Sequence, residues 1–241
     1  MNAVVMRLAL QAVVGRRRVW LLVALVAVLL VVAFLTRWGS GGREESTAAM
    51  MVNFGIGTLV PVMCLLIGTG VIAPEIEDGS VVYVLAKPLR RGAIAASKLV
   101  VAQLVALVFT VGAVVLATEV AGDADGQLAA AFAVTTALAS LTYTTVFFAV
   151  AILSKSPTIS GLLYALVWEG SLAGYVPGVR DLSVRQWALA PAERMLEDVY
   201  TVNVHSDVSI TMGALLMVAT MVVALVLAVR RLARLNVRVA D

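Results

Sequence analysis

Long apolar runs separated by short polar stretches dominate the pattern of this chain. Each run is close to the length of about 20 residues that an α-helix needs to cross a bilayer. The runs cover residues 19–36, 51–73, 95–118, 127–153, 157–173 and 208–229. The pattern predicts an all-α integral membrane protein with six transmembrane helices, in a single transmembrane domain over residues 1–241.

Two stretches beside these runs predict helices that lie at the membrane surface. Within residues 1–18, Arg7, Gln11, Gly15 and Arg18 share one narrow helical stripe on an otherwise apolar segment, which favours a cytoplasmic interfacial helix. The alternative is an N-terminal extension of the first crossing, with its arginines buried. The loop over residues 174–207 predicts short re-entrant or interfacial helices before the sixth crossing, one of them beginning at Pro191.

Three features inside the crossings stand out. Pro61 interrupts the second crossing, together with several glycines, which is typical of a helix packed on protein or beside a water-filled path. Thr136, Ser140 and Thr144 recur every four residues in the fourth crossing and favour close helix packing. Glu169 is a carboxylate near the end of the fifth crossing, so we consider both a pathway or gate role and a satisfied structural role.

The composition agrees with a membrane protein. Hydrophobic residues make up 61% of the chain and charged residues 14%, against about 25% charged in soluble domains. Six crossings leave no room for a soluble catalytic domain. The formal net charge of +3 does not indicate nucleic-acid binding, because the basic residues flank apolar runs.

The basic residues also predict the orientation. With both termini in the cytoplasm, thirteen of the eighteen lysines and arginines lie inside and five lie outside, which fits the positive-inside rule. The polar turn expected over Gly39–Thr47 and the loop over 174–207 are then non-cytoplasmic. We expect a multi-pass protein of the plasma membrane.

The segment over residues 74–94, between the second and third crossings, is the longest charged cytoplasmic stretch. Pro74 can open a helix whose first turn carries Glu75, Glu77 and Asp78, while Lys87 lies at its far end before Pro88. Acidic residues in the first turn and a basic residue at the far end complement the helix dipole. Such a short exposed helix is suited to docking on a cytoplasmic partner.

At these residues the chain resembles the membrane subunits of type-2 ABC transporters. The family pattern of an acid, a glycine, a leucine, a proline, an arginine and a later lysine is matched by Glu75, Gly79, Leu85, Pro88, Arg91 and Lys98. Ser80 departs from it where threonine is common. The six crossings, the amphipathic N-terminus and the broken segment before the last crossing extend the resemblance over essentially the whole chain.

The resemblance implies a permease that works as a pair of permease subunits, in a homodimer or a heterodimer, with two separate ATP-binding cassette subunits. It implies a cytoplasmic coupling helix between crossings 2 and 3, and a transport direction that we expect to be export. The residues that it assigns to ATPase coupling are Glu75, Glu77, Asp78, Gly79, Leu85, Pro88, Arg90, Arg91 and Arg7. Glu169 and Pro61 are the candidates for the pathway or gate.

ATP chemistry is expected on a partner, because none of the three lysines follows a glycine-rich phosphate loop. We therefore expect no enzyme activity, catalytic residue, metal ligand or directly bound cofactor in this chain, with ATP and magnesium on the partner subunit. An ion-coupled secondary transporter or a channel subunit is the alternative. An intramembrane enzyme is less favoured, since the crossings carry no histidine and only Glu169 as a carboxylate.

Overall fold

A computed structural model describes residues 15–77, 91–122, 126–172, 180–196 and 204–234. Within these ranges the chain is helical and contains no strand. The predicted interfacial helix over residues 1–18 falls almost entirely outside them, and so does most of the predicted coupling segment.

The helices run up and down through one bundle. In chain order they are α1 (Arg16–Ser40), α2 (Glu44–Met50), the π-helix π1 (Met51–Leu59), α3 (Val60–Gly70), α4 (Ala73–Glu77), α5 (Arg91–Ala121), α6 (Gln127–Leu153), α7 (Pro157–Leu163), the π-helix π2 (Tyr164–Leu172), α8 (Val184–Leu196) and α9 (Ile210–Arg234). A 3-10 turn, Arg180–Leu182, precedes α8. We call the two ends of the bundle the Glu75 end and the Gly42 end.

Five helical stretches are long and apolar enough to cross a membrane. They are Arg18–Ser40, Glu44–Glu75, Gly92–Ala121, Gln127–Leu153 and Ile210–Leu232. The fifth predicted crossing corresponds to α7 and π2, which are 7 and 9 residues long and fall below that length within the described residues. The structure therefore supports a multi-pass helical membrane protein with five candidate spans.

The polar turn predicted over Gly39–Thr47 is shorter than expected. α1 continues to Ser40, ends at Gly41 with a φ of 69°, and α2 begins at Glu44. A left-handed residue at this position is a common helix ending that glycine adopts without strain. Glu44 and Glu45 occupy the first turn of α2, where negative charge complements the helix dipole, so this polar stretch is helical.

The fourth predicted crossing, α6, lies at the centre of the bundle and packs against α3, α5, α8 and α9. Thr136, Ser140 and Thr144 are fully buried within it. Cys64 of α3 lies 3.8 Å from the Ser140 carbonyl oxygen. The prediction that this small-residue face serves helix packing is confirmed.

The helix predicted to begin at Pro191 begins earlier. α8 starts at Val184, and Pro191 lies inside it. Proline has no N–H to donate to the Trp187 carbonyl group one turn back. The backbone of Trp187 instead faces Gly213 of α9, where an added Cβ would come within 3.0 Å of that carbonyl oxygen. α8 therefore tolerates its proline where α9 packs closely.

Candidate functional site

Two clusters of polar contacts lie at opposite ends of the bundle. The first surrounds the point where the helix of α3 breaks, at the Glu75 end. α3 ends at Gly70, and α4 begins at Ala73, one residue before Pro74. A helix that ends here leaves backbone carbonyl groups without intrahelical donors, and these groups attract cations.

Lys98 of α5 satisfies one of these carbonyl groups. Its side-chain nitrogen lies 3.1 Å from the Val71 carbonyl oxygen and 2.5 Å from a carboxylate oxygen of Glu75. The Lys98 side chain is 3% exposed and that of Glu75 is 23% exposed. A lysine this deeply buried needs such partners, and the pair joins the end of the second span to the start of the third.

Arg18 of α1 satisfies the neighbouring carbonyl group. Its guanidinium donates a hydrogen bond to the Gly70 carbonyl oxygen. There is no free space for a side chain at Gly70, because an added Cβ would collide with the same guanidinium. Two cations from two different helices therefore hold two neighbouring carbonyl groups at one helix break.

The structure places only part of the predicted coupling set. Glu75 lies in the first turn of α4 and pairs with Lys98. The backbone of Glu77 closes α4 and that of Arg91 opens α5, while the side chains of both lie outside the described residues. The remaining coupling residues also lie outside them, namely Arg7, Asp78, Gly79, Leu85, Pro88 and Arg90.

The second cluster surrounds Glu169 of π2, near the Gly42 end. Its carboxylate is fully buried. It accepts hydrogen bonds from the Tyr164 hydroxyl at 3.1 Å, the Ser183 hydroxyl at 2.5 Å and the Val184 backbone N–H at 3.0 Å. Val184 is the first residue of α8, so the carboxylate lies at the positive end of that helix.

Arg185 extends this cluster to the second span. Its guanidinium donates a hydrogen bond to the Asn53 side-chain oxygen at 2.9 Å. It also lies over Gly57, where an added Cβ would come within 3.1 Å of a guanidinium nitrogen. Asn53 and Gly57 both belong to π1. Tyr143, on α6, is fully buried in the neighbourhood of Glu169.

Pro61 marks the end of π1. The N–H of Val60 bonds to the Gly55 carbonyl, five residues back, which is the π-helical pattern. Pro61 follows in the first turn of α3 and is buried. Because it has no N–H, Pro61 cannot donate to the Gly57 carbonyl group four residues back, as in an α-helix, or to the Ile56 carbonyl group five residues back, as in a π-helix. Pro61 therefore lies at the junction of π1 and α3 within the second span.

Several residues of these clusters are not predicted from the sequence. Lys98 belongs to the family pattern without a predicted partner, and the sequence does not assign Arg18, Asn53, Tyr143 or Arg185 to either cluster. A lysine at the start of an apolar run is a signal for Lys98, because such a residue requires a partner. The Arg185–Asn53 contact joins residues 132 positions apart, and single-sequence patterns carry no signal for it.

His205 lies outside both clusters. Its side chain is 67% exposed and contacts the Glu193 carboxylate at 2.9 Å, so it is a surface residue. Among the residues that the structure describes, no group of three or more histidine, cysteine or carboxylate side chains is arranged to hold a metal ion.

The bundle, its five apolar spans and the polar clusters at both ends define a multi-pass integral membrane protein. Residues 15–176 match the model of a family described as ABC-2 family transporter proteins. The chain belongs to this family, and it is therefore a permease of the ABC transporter class. A comparison with curated proteins gives no match.

Proposed function

We propose that this chain is the membrane subunit of an ATP-driven exporter, in which two permease copies work with two separate ATP-binding subunits. Membership of the ABC-2 family supports the transport class. The ion pair between Glu75 and Lys98 carries the proposal further, since it ties the start of the coupling segment to the next crossing.

The geometry supports an orientation for this proposal. The Glu75 end carries Arg16, Arg17, Arg18, Arg91, Lys98, Lys155, Arg230, Arg231 and Arg234, and the Gly42 end carries Arg37, Arg43, Arg180, Arg185 and Arg194. The positive-inside rule then makes the Glu75 end cytoplasmic. In this arrangement α7 and π2 form the fifth of six crossings, both termini are cytoplasmic, and α8 lies on the outer side.

The proposed mechanism transmits movement from the ATPases to the helices. ATP binding draws the two ATPase subunits together and moves the segment that follows Glu75. Because Glu75 is paired with Lys98 and Gly70 is bonded to Arg18, this movement reaches α1, α3 and α5 together. The second and fifth crossings then open or close a path, and ATP hydrolysis takes place entirely on the partner.

The pairing refines the role of Glu75. The resemblance assigns Glu75 to the ATPase contact, but its carboxylate faces Lys98 of the same chain. We therefore propose that Glu75 joins two crossings, while Asp78 and the residues after it contact the ATPase. The two roles predict different behaviour under charge reversal.

A charge-swap experiment tests this division. In complexes purified with an untagged ATPase, Glu75→Lys alone should cut the nucleotide-dependent change in hydrogen exchange over residues 60–77 by about tenfold, because it places two cations together. The Glu75→Lys, Lys98→Glu double variant should restore most of that change. The ATPase should still co-purify with both.

Asp78→Lys is the matched comparison. It should reduce co-purification of the ATPase, and Lys98→Glu should not restore it. If Glu75→Lys has no effect on either property, or if the double variant behaves no better than the single one, Glu75 does not join the two crossings.

A further inference from the structure

The short helix α8 contacts both of the spans that are proposed to form the path. Arg185 reaches Asn53 in π1, and the first turn of α8 is held by Glu169 in π2 through Ser183 and Val184. We call these five residues the α8 bridge.

Both anchors of the α8 bridge lie in π-helical segments. π1 covers Met51–Leu59 and π2 covers Tyr164–Leu172. π-helical turns are rare, are found mostly as single turns, and are frequent at functional sites. A change from π to α geometry shortens each hydrogen-bonded loop by one residue and rotates the side chains on one side of the change relative to those on the other. We expect such a change to move Asn53 or Glu169 away from its partner at α8.

The burial of the two anchors differs. Glu169 and Ser183 are fully buried, whereas Asn53 is exposed and Arg185 is partly exposed. A buried carboxylate is costly to expose without its donors, so the π2 anchor is the firmer one. The Asn53–Arg185 hydrogen bond is more accessible and can be broken at lower cost.

We infer that Asn53, Ser183 and Arg185 are positioning residues that hold α8 between the second and fifth crossings. The Asn53–Arg185 contact breaks when the second crossing moves, while the Glu169 contact keeps α8 attached to the fifth crossing. The movement of the second crossing rests on the proposed function. The α8 bridge itself consists of contacts between described residues.

Cysteine labelling tests the bridge. The Val184 side chain is 1% exposed, and only its backbone N–H takes part in the bridge. In a Cys64→Ser background, Val184→Cys should react slowly with a membrane-impermeant maleimide. Asn53→Leu replaces the side chain that accepts from Arg185 with an apolar one of similar size. It should raise the labelling rate about tenfold, the effect expected from losing one hydrogen bond to a charged group.

Two variants serve as controls. Asn53→Asp keeps an acceptor for Arg185, so its labelling should stay slow. Gln103→Leu removes a neutral side-chain hydrogen bond away from α8, to Thr145 at 3.1 Å, between α5 and α6, and labelling should again stay slow. Equal rates for Asn53→Leu and Asn53→Asp, or an equal rise with Gln103→Leu, would overturn the inference.

Hydrogen exchange gives the same test without a cysteine. In the chain with Val184 intact, Asn53→Leu should accelerate exchange over residues 181–189, and Asn53→Asp should not. This measurement stands even if Val184→Cys fails to fold. Unchanged exchange in Asn53→Leu contradicts the bridge.

The labelling also separates this inference from the proposed function. The effect of Asn53→Leu requires no nucleotide and no ATPase. In the complex with the ATPase, a non-hydrolysable ATP analogue should change the labelling rate of the Val184→Cys chain. If Asn53→Leu acts but nucleotide does not, the bridge holds and the proposed ATP coupling fails. If nucleotide changes the labelling rate but Asn53→Leu does not, the proposed ATP coupling holds and the bridge fails.

Discussion

At the scale of single residues, glycines decide how closely the crossings approach. Gly68 of α3 lies against α6, where an added Cβ would come within 3.0 Å of the Thr144 carbonyl oxygen and 3.2 Å of the Phe148 backbone nitrogen. Backbone atoms cannot move aside as the end of a long side chain can. The contact therefore depends on the missing side chain.

Gly68→Ala should lower the stability of the bundle by roughly 1–3 kcal/mol, because it overpacks the contact between α3 and α6. Gly112→Ala is the control, since an added Cβ at Gly112 meets nothing within 4 Å. Alanine also favours a helix over glycine by about 1 kcal/mol. Thermal unfolding in detergent should show a lower midpoint for Gly68→Ala and an equal or higher midpoint for Gly112→Ala. Equal midpoints for the two variants would contradict the close contact.

The partners of Glu169 could not be predicted from the sequence. A buried glutamate in a crossing requires partners, but the three donors of Glu169 come from Tyr164 nearby and from Ser183 and Val184 in a later segment. The sequence alone left pathway and structural roles open. The carboxylate is fully buried and accepts all three hydrogen bonds, and on this ground we propose a positioning role for it.

Glu169→Gln provides a direct test of that role. The amide keeps the size of the side chain but loses one acceptor oxygen, so the hold on the first turn of α8 should weaken. Exchange at residues 181–189 should rise, and the ATPase activity of the complex should stay within about threefold of the parent, since a change of 1 kcal/mol or less is a few-fold effect. Loss of all transport with unchanged exchange would instead favour a pathway role.

At the scale of helices, most spans were predictable and most breaks were not. The crossings predicted over 95–118 and 127–153 lie within α5 and α6, because uniform apolar runs determine them directly. The second span begins seven residues before its predicted start, since Glu44 and Glu45 are polar but sit in a first helical turn. α8 begins at Val184 and not at Pro191, because the helix tolerates the proline in its interior, where α9 packs against it.

We expect Pro61 to affect the whole second span, through the geometry of π1. Pro61→Ala restores an N–H, so the second span can adopt α-helical bonding through this region. Asn53 should then lose its register with Arg185, and labelling of Val184→Cys should rise. Pro157→Ala is the matched control, because Pro157 is also in the first turn of its helix but begins α7 after a non-helical residue. Unchanged labelling in Pro61→Ala would show that the proline does not maintain π1.

At the scale of the whole molecule, polar contacts tie the helices together at both ends of an apolar bundle. At the Glu75 end, Arg18 and Lys98 hold the break after α3. At the Gly42 end, Glu169 and Arg185 hold α8 against π2 and π1. More of the described basic residues lie at the Glu75 end than at the Gly42 end.

Native mass spectrometry of the complex, purified from its own membranes, shows whether this chain works with separate ATPase subunits. We expect an assembly of two 25.3 kDa permease chains, or one such chain and a related permease, with two P-loop ATPase subunits. Asp78→Lys should release the ATPases and leave the permease pair. Recovery of the wild-type chain without any P-loop ATPase, under conditions that preserve the permease pair, would contradict the account.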